Sequence, residues 1–172
     1  LRDEEKGLRN RMPVHVHIGS ADVTGRINLL EKSVAEPGCA EFAEVILDRP
    51  IHAVRGDKIV LRDQSARRTV GGGVVLDSLT QTEKRSKAER LFFLKSTWDF
   101  DSTDAFAFAL ANSVSGVNVD LFKCNWNRTQ PEMDELVKES GAILVVEDEE
   151  IYAYDKEKWS QLKKLFLASL SQ

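Results

Sequence analysis

The sequence predicts two domains, a small antiparallel β-barrel over residues 1–78 and an α+β winged-helix domain over residues 88–172. Three observations support this prediction. Before residue 78, hydrophobic residues alternate with polar ones in short runs, which is the period of half-buried strands. After residue 88, hydrophobic residues recur at helical spacing, and a hairpin pattern follows three predicted helices. Residues 79–87 between the two are polar and are predicted to form a linker.

Composition restricts the class of protein. The 172 residues are 42% hydrophobic and 30% charged, which suits packed soluble domains. The sequence has no apolar run of eighteen residues, so no membrane span is expected. Residues 1–78 carry 12 basic and 12 acidic side chains, whereas residues 79–172 carry 12 and 16. A strong nonspecific nucleic-acid binder is therefore not expected, and any RNA contact should be local.

Five short strands are predicted in the first domain, and strands at such close spacing with Gly and Pro turns favour a small barrel. In the first strand, strict alternation places His15 and His17 on one face. The triplet Gly71–Gly73 is predicted to mark close strand packing or a bulge, because a phosphate cradle needs a helix behind it and a strand follows here. The predicted strands are Val14–Ile18, Val23–Leu29, Phe42–Leu47, Ile59–Leu61 and Val74–Leu76.

Helix signals predict the second domain. Thr129 and Glu132 form a capping-box pattern with proline in the first turn, and Gly141 ends that helix. Thr103 and Asp104 are expected to cap an earlier helix. In chain order, the prediction is a helix from Leu91, a helix from Thr103 to Gly116, a short helix from Val119, the helix Thr129–Gly141, a hairpin of Ala142–Val146 with Ile151–Tyr154, and a last helix through Trp159 and Leu170.

The stretch Arg55–Asp77 carries a family resemblance. It is similar to the closing strands of the last barrel in the elongation factor Tu superfamily, and its runs Leu61–Arg67 and Gly71–Asp77 most resemble bacterial selenocysteine-specific elongation factors. Asp22-Val23-Thr24-Gly25 matches a motif of the third domain of elongation factor Tu. The selenocysteine factors have winged helices after that barrel, so the predicted order of domains agrees.

The resemblance implies a function for the whole factor, which would be a translational GTPase of the cytoplasm. Its partners would be selenocysteinyl-tRNA, the ribosome and, through domains beyond this chain, the selenocysteine-insertion mRNA hairpin; no membrane partner is expected. The sequence contains no P-loop pattern, so GTP and Mg²⁺ would bind in a GTPase domain that this chain lacks. The chain itself is expected to have no cofactor and no catalytic residue.

The resemblance also implies where RNA would be bound. The barrel would grip the T-stem of the tRNA, and Gly25 would let RNA approach the neighbouring hydroxyl of Thr24. The loop after Leu61 is two residues longer than in elongation factor Tu and matches the selenocysteine-factor pattern. A metal site at His15 and His17 is not expected, because no third ligand has compatible spacing. The implied RNA-binding residues are His15, Thr24, Arg49, Arg62, Asp63 and Gln64.

Two alternatives stay open from the sequence. Barrels of this superfamily have six strands, so the chain resembles a barrel cut after its first strand; the other interpretation is a disordered charged start, Leu1–Gly7, on a complete five-stranded barrel. The predicted recognition helix and the wing tip Glu147–Glu150 are both acidic and would repel phosphates. The second function hypothesis is therefore a winged-helix protein-interaction module, without RNA binding, fused to a degenerate translation-factor-like barrel.

Overall fold

Strands dominate the first part of the chain and helices the second. In this computed structural model, which describes residues 7–78 and 86–170, contacts divide the chain into two compact units, residues 1–98 and 99–172. The predicted fold class, a small antiparallel barrel followed by an α+β winged-helix domain, is confirmed as an antiparallel half-barrel followed by helices with a three-stranded sheet. The charged start up to residue 6 and most of the predicted linker, residues 79–85, lie outside the described residues.

The half-barrel consists of a five-stranded antiparallel sheet and a separate two-stranded one. The strand order of the larger sheet is β5-β3-β2-β6-β7, and β1 pairs with β4. Alternating side chains on β2 and β3 point into a core of Val, Ile and Leu, as their period of two predicts. The strands are β1 (Leu8–Arg9), β2 (Met12–Ile18), β3 (Ala21–Leu29), β4 (Val34–Ala35), β5 (Ala43–Leu47), β6 (Lys58–Arg62) and β7 (Thr69–Val74).

The last strand of the barrel differs from its prediction. The prediction of a strand over Val74–Leu76 was wrong, because β7 starts at Thr69, includes all three glycines and ends at Val74. Ladder hydrogen bonds come from the backbone, so glycines pair with β6 although they lack side chains. Leu61 pairs with Gly71 and Arg62 with Thr69, which leaves one extra residue on β7. The extra residue is Val70, so the bulge lies directly before the triplet and not within it.

Among the described residues of the first unit, one segment is helical. Helix α1 (Lys87–Thr97) starts at a capping box of Ser86 and Glu89. Arg55 donates to the carbonyl oxygens of Leu76 and Trp98, at 2.8 Å each, and to that of Thr97 at 2.5 Å. Two ion pairs, Arg90 with Glu44 and Lys95 with Glu31, also join α1 to the barrel. The predicted boundaries of 1–78, 79–87 and 88–172 stay a prediction, and in the structure α1 groups with the barrel.

The second unit has the element order expected of a winged helix. Its sheet has the strand order β8-β10-β9, and its core lies between that sheet and three helices. Strand β8 was not predicted, since two residues carry no periodic signal. The elements are α2 (Ser102–Asn112), β8 (Val117–Asn118), α3 (Val119–Asn125), α4 (Gln130–Ser140), β9 (Ile143–Glu147), β10 (Glu150–Tyr154) and α5 (Lys156–Leu170).

Helix ends in the second unit agree with the sequence at α4 and differ at α2. The capping box of Thr129 and Glu132 is present, and Gly141 takes the left-handed conformation with φ 65°. The cap of α2 is Asp101, not Thr103 and Asp104 as predicted: the Asp101 carboxylate accepts from both of their amides, at 2.8 and 2.9 Å. The helix ends at Asn112 and not at Gly116.

The tip of the hairpin formed by β9 and β10 is strained. Asp148 and Glu149 connect the strands with φ values of 49° and 71°, which is the positive-φ pattern of a two-residue hairpin turn. A side chain in this region costs about 1 kcal/mol or more, and glycine removes that cost. We expect Glu149→Gly to raise the free energy of unfolding of this unit by about 0.5–1 kcal/mol.

The matched control is Glu147→Gly, which removes the same charge from a strand position. Glycine weakens a strand interior, so this control should lower the free energy of unfolding by about 0.5–1 kcal/mol. Hydrogen exchange of β9 and β10 in both variants measures the two effects. Equal shifts in the same direction would show that charge, and not backbone strain, controls the stability of the tip.

Candidate nucleic-acid interface

Three of the predicted RNA-binding residues lie in one row across the sheet. His15 on β2 pairs with Thr24 on β3 and with Arg62 on β6. Since adjacent strands are about 4.8 Å apart, the three Cα atoms span roughly 10 Å. The alternation that buries Val14 and Val16 turns this row outward, and Thr24 and Arg62 are exposed. The sheet therefore holds a hydroxyl, an imidazole and a guanidinium side by side.

Gly25 has a different role from the one expected. Its position alternates with Thr24, so it faces the interior and is buried. A Cβ on Gly25 would lie 2.5 Å from the carbonyl oxygen of Ile46 on β5. The expectation that Gly25 lets RNA approach Thr24 was wrong, because this glycine allows β3 and β5 to pack closely.

Arg49 joins the row from the end of β5. Its Nη2 donates to the backbone oxygen of Asp22 at 2.8 Å. His15 Nδ1 lies 3.2 Å from Asp22 Oδ1, and His17 Nε2 lies 3.8 Å from the same oxygen. The Thr24 hydroxyl donates to Asp48 Oδ2. These side chains surround a shallow cavity of about 260 Å³ whose lining residues are His15, Asp22, Val23, Thr24, Asp48 and Arg49.

Sequence reasoning missed the role of the two carboxylates in this cavity. Asp22 stands in the motif Asp22–Gly25, but only its threonine was singled out. Asp48 directly follows β5, and its amide donates to the Thr24 carbonyl at 2.9 Å, which continues the pairing of β5 with β3. One signal in the sequence could have identified Asp48 as a site residue, since it is a polar residue at the end of a predicted strand, next to Arg49.

Asp63 organises the loop between β6 and β7. Its Oδ1 accepts from the Ser65 hydroxyl at 2.9 Å and from the amides of Arg67 and Arg68 at 3.0 and 3.3 Å. The Ser65 hydrogen bond first, and then those of the two amides, hold the pKa of Asp63 below its ordinary value. The carboxylate therefore stays charged and orders the loop.

Arg62, the last residue of β6, and Gln64 in the loop adjoin Asp63. Arg62 Nη1 donates to the carbonyl oxygen of Ala66 at 3.2 Å, and Ala66 has a left-handed φ of 54°. Gln64 is exposed at the tip. The structure thus places Arg62, Asp63 and Gln64 together beside the row that contains His15.

The described residues present neither a metal-binding cluster nor a membrane-spanning helix. Within residues 7–78 and 86–170, no three His, Cys, Asp or Glu side chains are placed to hold a metal ion. Among the same residues, no helix has the length and apolar character needed to cross a membrane.

The second unit presents acidic surfaces where a winged helix ordinarily meets nucleic acid. Helix α4 carries four acidic residues and a single lysine, Lys138. The Arg128 guanidinium is directed toward Glu132, 3.4 Å away, and toward the hydroxyl of Ser102. The exposed wing tip adds Asp148 and Glu149 between two further glutamates. Phosphates would be repelled from both surfaces.

Comparisons with known proteins agree on one family. Residues 1–82 match a family model described as the β-barrel domain of the selenocysteine-specific elongation factor. The chain is 32% identical over 136 residues to the selenocysteine-specific elongation factor of Escherichia coli (strain K12), an overlap of 79% of this chain and 21% of that protein. It is also 32% identical over 90 residues to that of Haemophilus influenzae (strain ATCC 51907 / DSM 11121 / KW20 / Rd), which is 52% of this chain and 14% of the relative.

A solved structure supports the fold over nearly the whole chain. The crystal structure of a bacterial selenocysteine-specific elongation factor covers 95% of this chain, with a TM-score of 0.57 and 21% identity. The match takes up 25% of that structure's chain. This chain thus spans about a quarter of that structure, and about a fifth or less of the curated relatives it matches.

Proposed function

The chain belongs to the family of selenocysteine-specific elongation factors, and from this premise we propose that its barrel binds the T-stem of selenocysteinyl-tRNA. The observation that carries the proposal is the outward row of Thr24, His15 and Arg62, flanked by Arg49. Imidazole and guanidinium groups are donors suited to an RNA sugar-phosphate chain, and the Thr24 oxygen, whose proton is donated to Asp48, adds an acceptor. Paired strands hold the Cα atoms of these residues at fixed spacing, so the backbone of the site needs no ordering on binding.

The loop after β6 extends the proposed contact. The hydrogen bonds that Asp63 accepts fix the conformation of this loop. Arg62 and Gln64, on either side of Asp63, are exposed. Because arginine binds phosphate through a planar fork of donors, Arg62 is the proposed phosphate contact of the loop. Asp63 then acts through the loop conformation, and Gln64 supplies a polar side chain at its tip.

For the intact factor we propose the activity that the family implies. The factor would be a translational GTPase that brings selenocysteinyl-tRNA to the ribosome in the cytoplasm. GTP and Mg²⁺ would bind in a separate GTPase domain, since this sequence has no P-loop motif. The winged-helix unit would link the barrel to the domains that bind the selenocysteine-insertion mRNA hairpin.

The acidic surface of the second unit supports a linking role. Helix α4 and the wing tip would meet phosphates with like charge, so we assign them to a protein contact or to spacing, not to RNA readout. The second function hypothesis, a protein-interaction module without RNA binding, draws on the same observation. The row of Thr24, His15 and Arg62, called the barrel row below, distinguishes the two hypotheses. Only the tRNA-binding hypothesis requires this row to contact RNA.

The test is tRNA binding by the intact factor with Arg62→Ala and Arg49→Ala. Each variant removes a charge-assisted contact, so we expect about tenfold weaker binding of selenocysteinyl-tRNA. Each should also lower the slope of log affinity against log salt by about one. A filter-binding titration at several salt concentrations measures both quantities.

Arg9→Ala is the matched control, because Arg9 is an exposed arginine on the separate two-stranded sheet. It should leave the affinity within about twofold. Unchanged affinity and unchanged slope in both test variants would remove the barrel row from the site. The interaction-module hypothesis would then be the better account.

A further inference from the structure

The cavity beside Thr24 contains two carboxylates, which a phosphate-binding surface should avoid. Asp22 and Asp48 line the same cavity as Arg49, and about half of the Asp22 side chain (52%) is exposed. A phosphate placed between them would meet two like charges within a few ångströms. The middle of this cavity therefore suits a neutral group, and phosphates belong at its rim.

The chemistry of the lining identifies that neutral group. Asp48 accepts from the Thr24 hydroxyl, and Asp22 accepts from His15. An ionised carboxylate has about four lone-pair sites and no donor, so the wall of the cavity is rich in acceptors. A ligand group that binds there must supply a proton. In RNA the sugar-phosphate chain supplies one in each ribose 2′-hydroxyl, whereas a phosphodiester has none.

We infer that this cavity accepts a ribose 2′-hydroxyl of the T-stem, with Asp48 as its hydrogen-bond acceptor, and thereby distinguishes RNA from DNA. The inference rests on the proposed function and names the part of the RNA that the cavity binds. The Thr24 hydroxyl donates its one proton to the Asp48 carboxylate, so its oxygen can only accept from the sugar.

Arg49 supplies the neighbouring phosphate contact. Its bond to the Asp22 backbone uses one donor of the five on the guanidinium. Because Arg49 lies at the cavity wall, a sugar beside Asp48 puts the adjoining phosphate near this arginine. Asp48 would thus accept from the sugar, and Arg49 would bind the phosphate next to it. Sugars and phosphates alternate in the same way along an RNA strand.

A thermodynamic cycle tests the inference in the intact factor. The probe is an RNA hairpin made of the acceptor stem and T-stem of the selenocysteine tRNA, in which each T-stem ribose is replaced in turn by 2′-deoxyribose. With the unmodified protein, one position should weaken binding about tenfold, the size expected for one hydrogen bond to a charged acceptor. In Asp48→Ala the same replacement should change binding less than about twofold.

Two variants make the cycle specific. Asp48→Asn keeps an acceptor oxygen and should retain part of the sensitivity to deoxyribose. Glu36→Ala removes an exposed carboxylate outside the cavity and should retain all of it. Thermal unfolding of each variant, read by circular dichroism, shows whether the barrel is still folded.

The outcomes separate this inference from the proposed function. Equal sensitivity to deoxyribose in Asp48→Ala and the unmodified protein, at every position, would overturn the inference. If Arg62→Ala still weakens hairpin binding in that case, the proposed function stands without it. If Arg62→Ala and Arg49→Ala both leave hairpin binding unchanged, the proposed function and the inference both fall.

Discussion

Replacing Phe106 with alanine is expected to destabilise the second unit by about 3–5 kcal/mol. Phe106 is fully buried in α2, and its ring packs edge-on against Phe122 of α3 with centroids 4.9 Å apart. Truncation removes that contact and leaves a cavity in the core cluster that also contains Met133 of α4. This unit has a small core, so the loss is a large part of its total stability.

The control for this prediction is Phe166→Ala in α5, where the phenylalanine is 65% exposed. It should cost less than about 1 kcal/mol, because most of its ring is already in water. The chain has two units, so a single unfolding curve is not two-state, and hydrogen exchange of α3 and α4 is the better measurement. Equal losses in the two variants would show that the core is not centred on Phe106.

Gly25→Ala is expected to destabilise the half-barrel by about 2–3 kcal/mol. The added methyl group would lie 2.5 Å from a backbone oxygen of β5, and a backbone atom in a paired strand cannot move aside without breaking the ladder. The loss should appear as faster hydrogen exchange in β3 and β5. It should also weaken tRNA binding, because Thr24 and Asp48 are held by this pair of strands.

Gly73→Ala is the matched control. Its new Cβ would lie 3.7 Å from the nearest side-chain carbon of Ile59, which is ordinary van der Waals contact. We expect a change within about 1 kcal/mol of either sign, since glycine also weakens a strand interior. Close packing of β3 against β5 would be disproved if alanine were tolerated equally at both positions.

Periodicity predicted the parts of the fold whose side chains alternate. Strict alternation gave the position of β2 and β3 and the outward face of His15 and Thr24. It failed at β7, where three glycines carry no hydrophobic signal and only backbone pairing defines the strand. The cap of α2 was predicted two to three residues too late, because Asp101, Thr103 and Asp104 are all good capping residues.

The resemblance implied His15, Thr24 and Arg49 of the cavity lining, but neither of its two carboxylates. The resemblance pointed to Thr24, Arg49 and Arg62, and the register of the strands explains why two of them share a row with His15. Asp22 and Asp48 are 26 positions apart in sequence, and only the pairing of β3 with β5 brings both into one cavity. No local pattern reports such a contact, because it depends on long-range register.

The guanidinium of Arg55 has a practical consequence for dividing this protein into separately expressed pieces. A cut at residue 78 would remove two of the three carbonyl oxygens that accept from Arg55 and would strip α1 from its partners Glu44 and Glu31. The barrel piece would then expose a half-buried cation, and the helical piece would begin with an unsupported helix of 11 residues, too short to be stable alone. A boundary placed after Trp98 keeps all of these bonds inside one polypeptide.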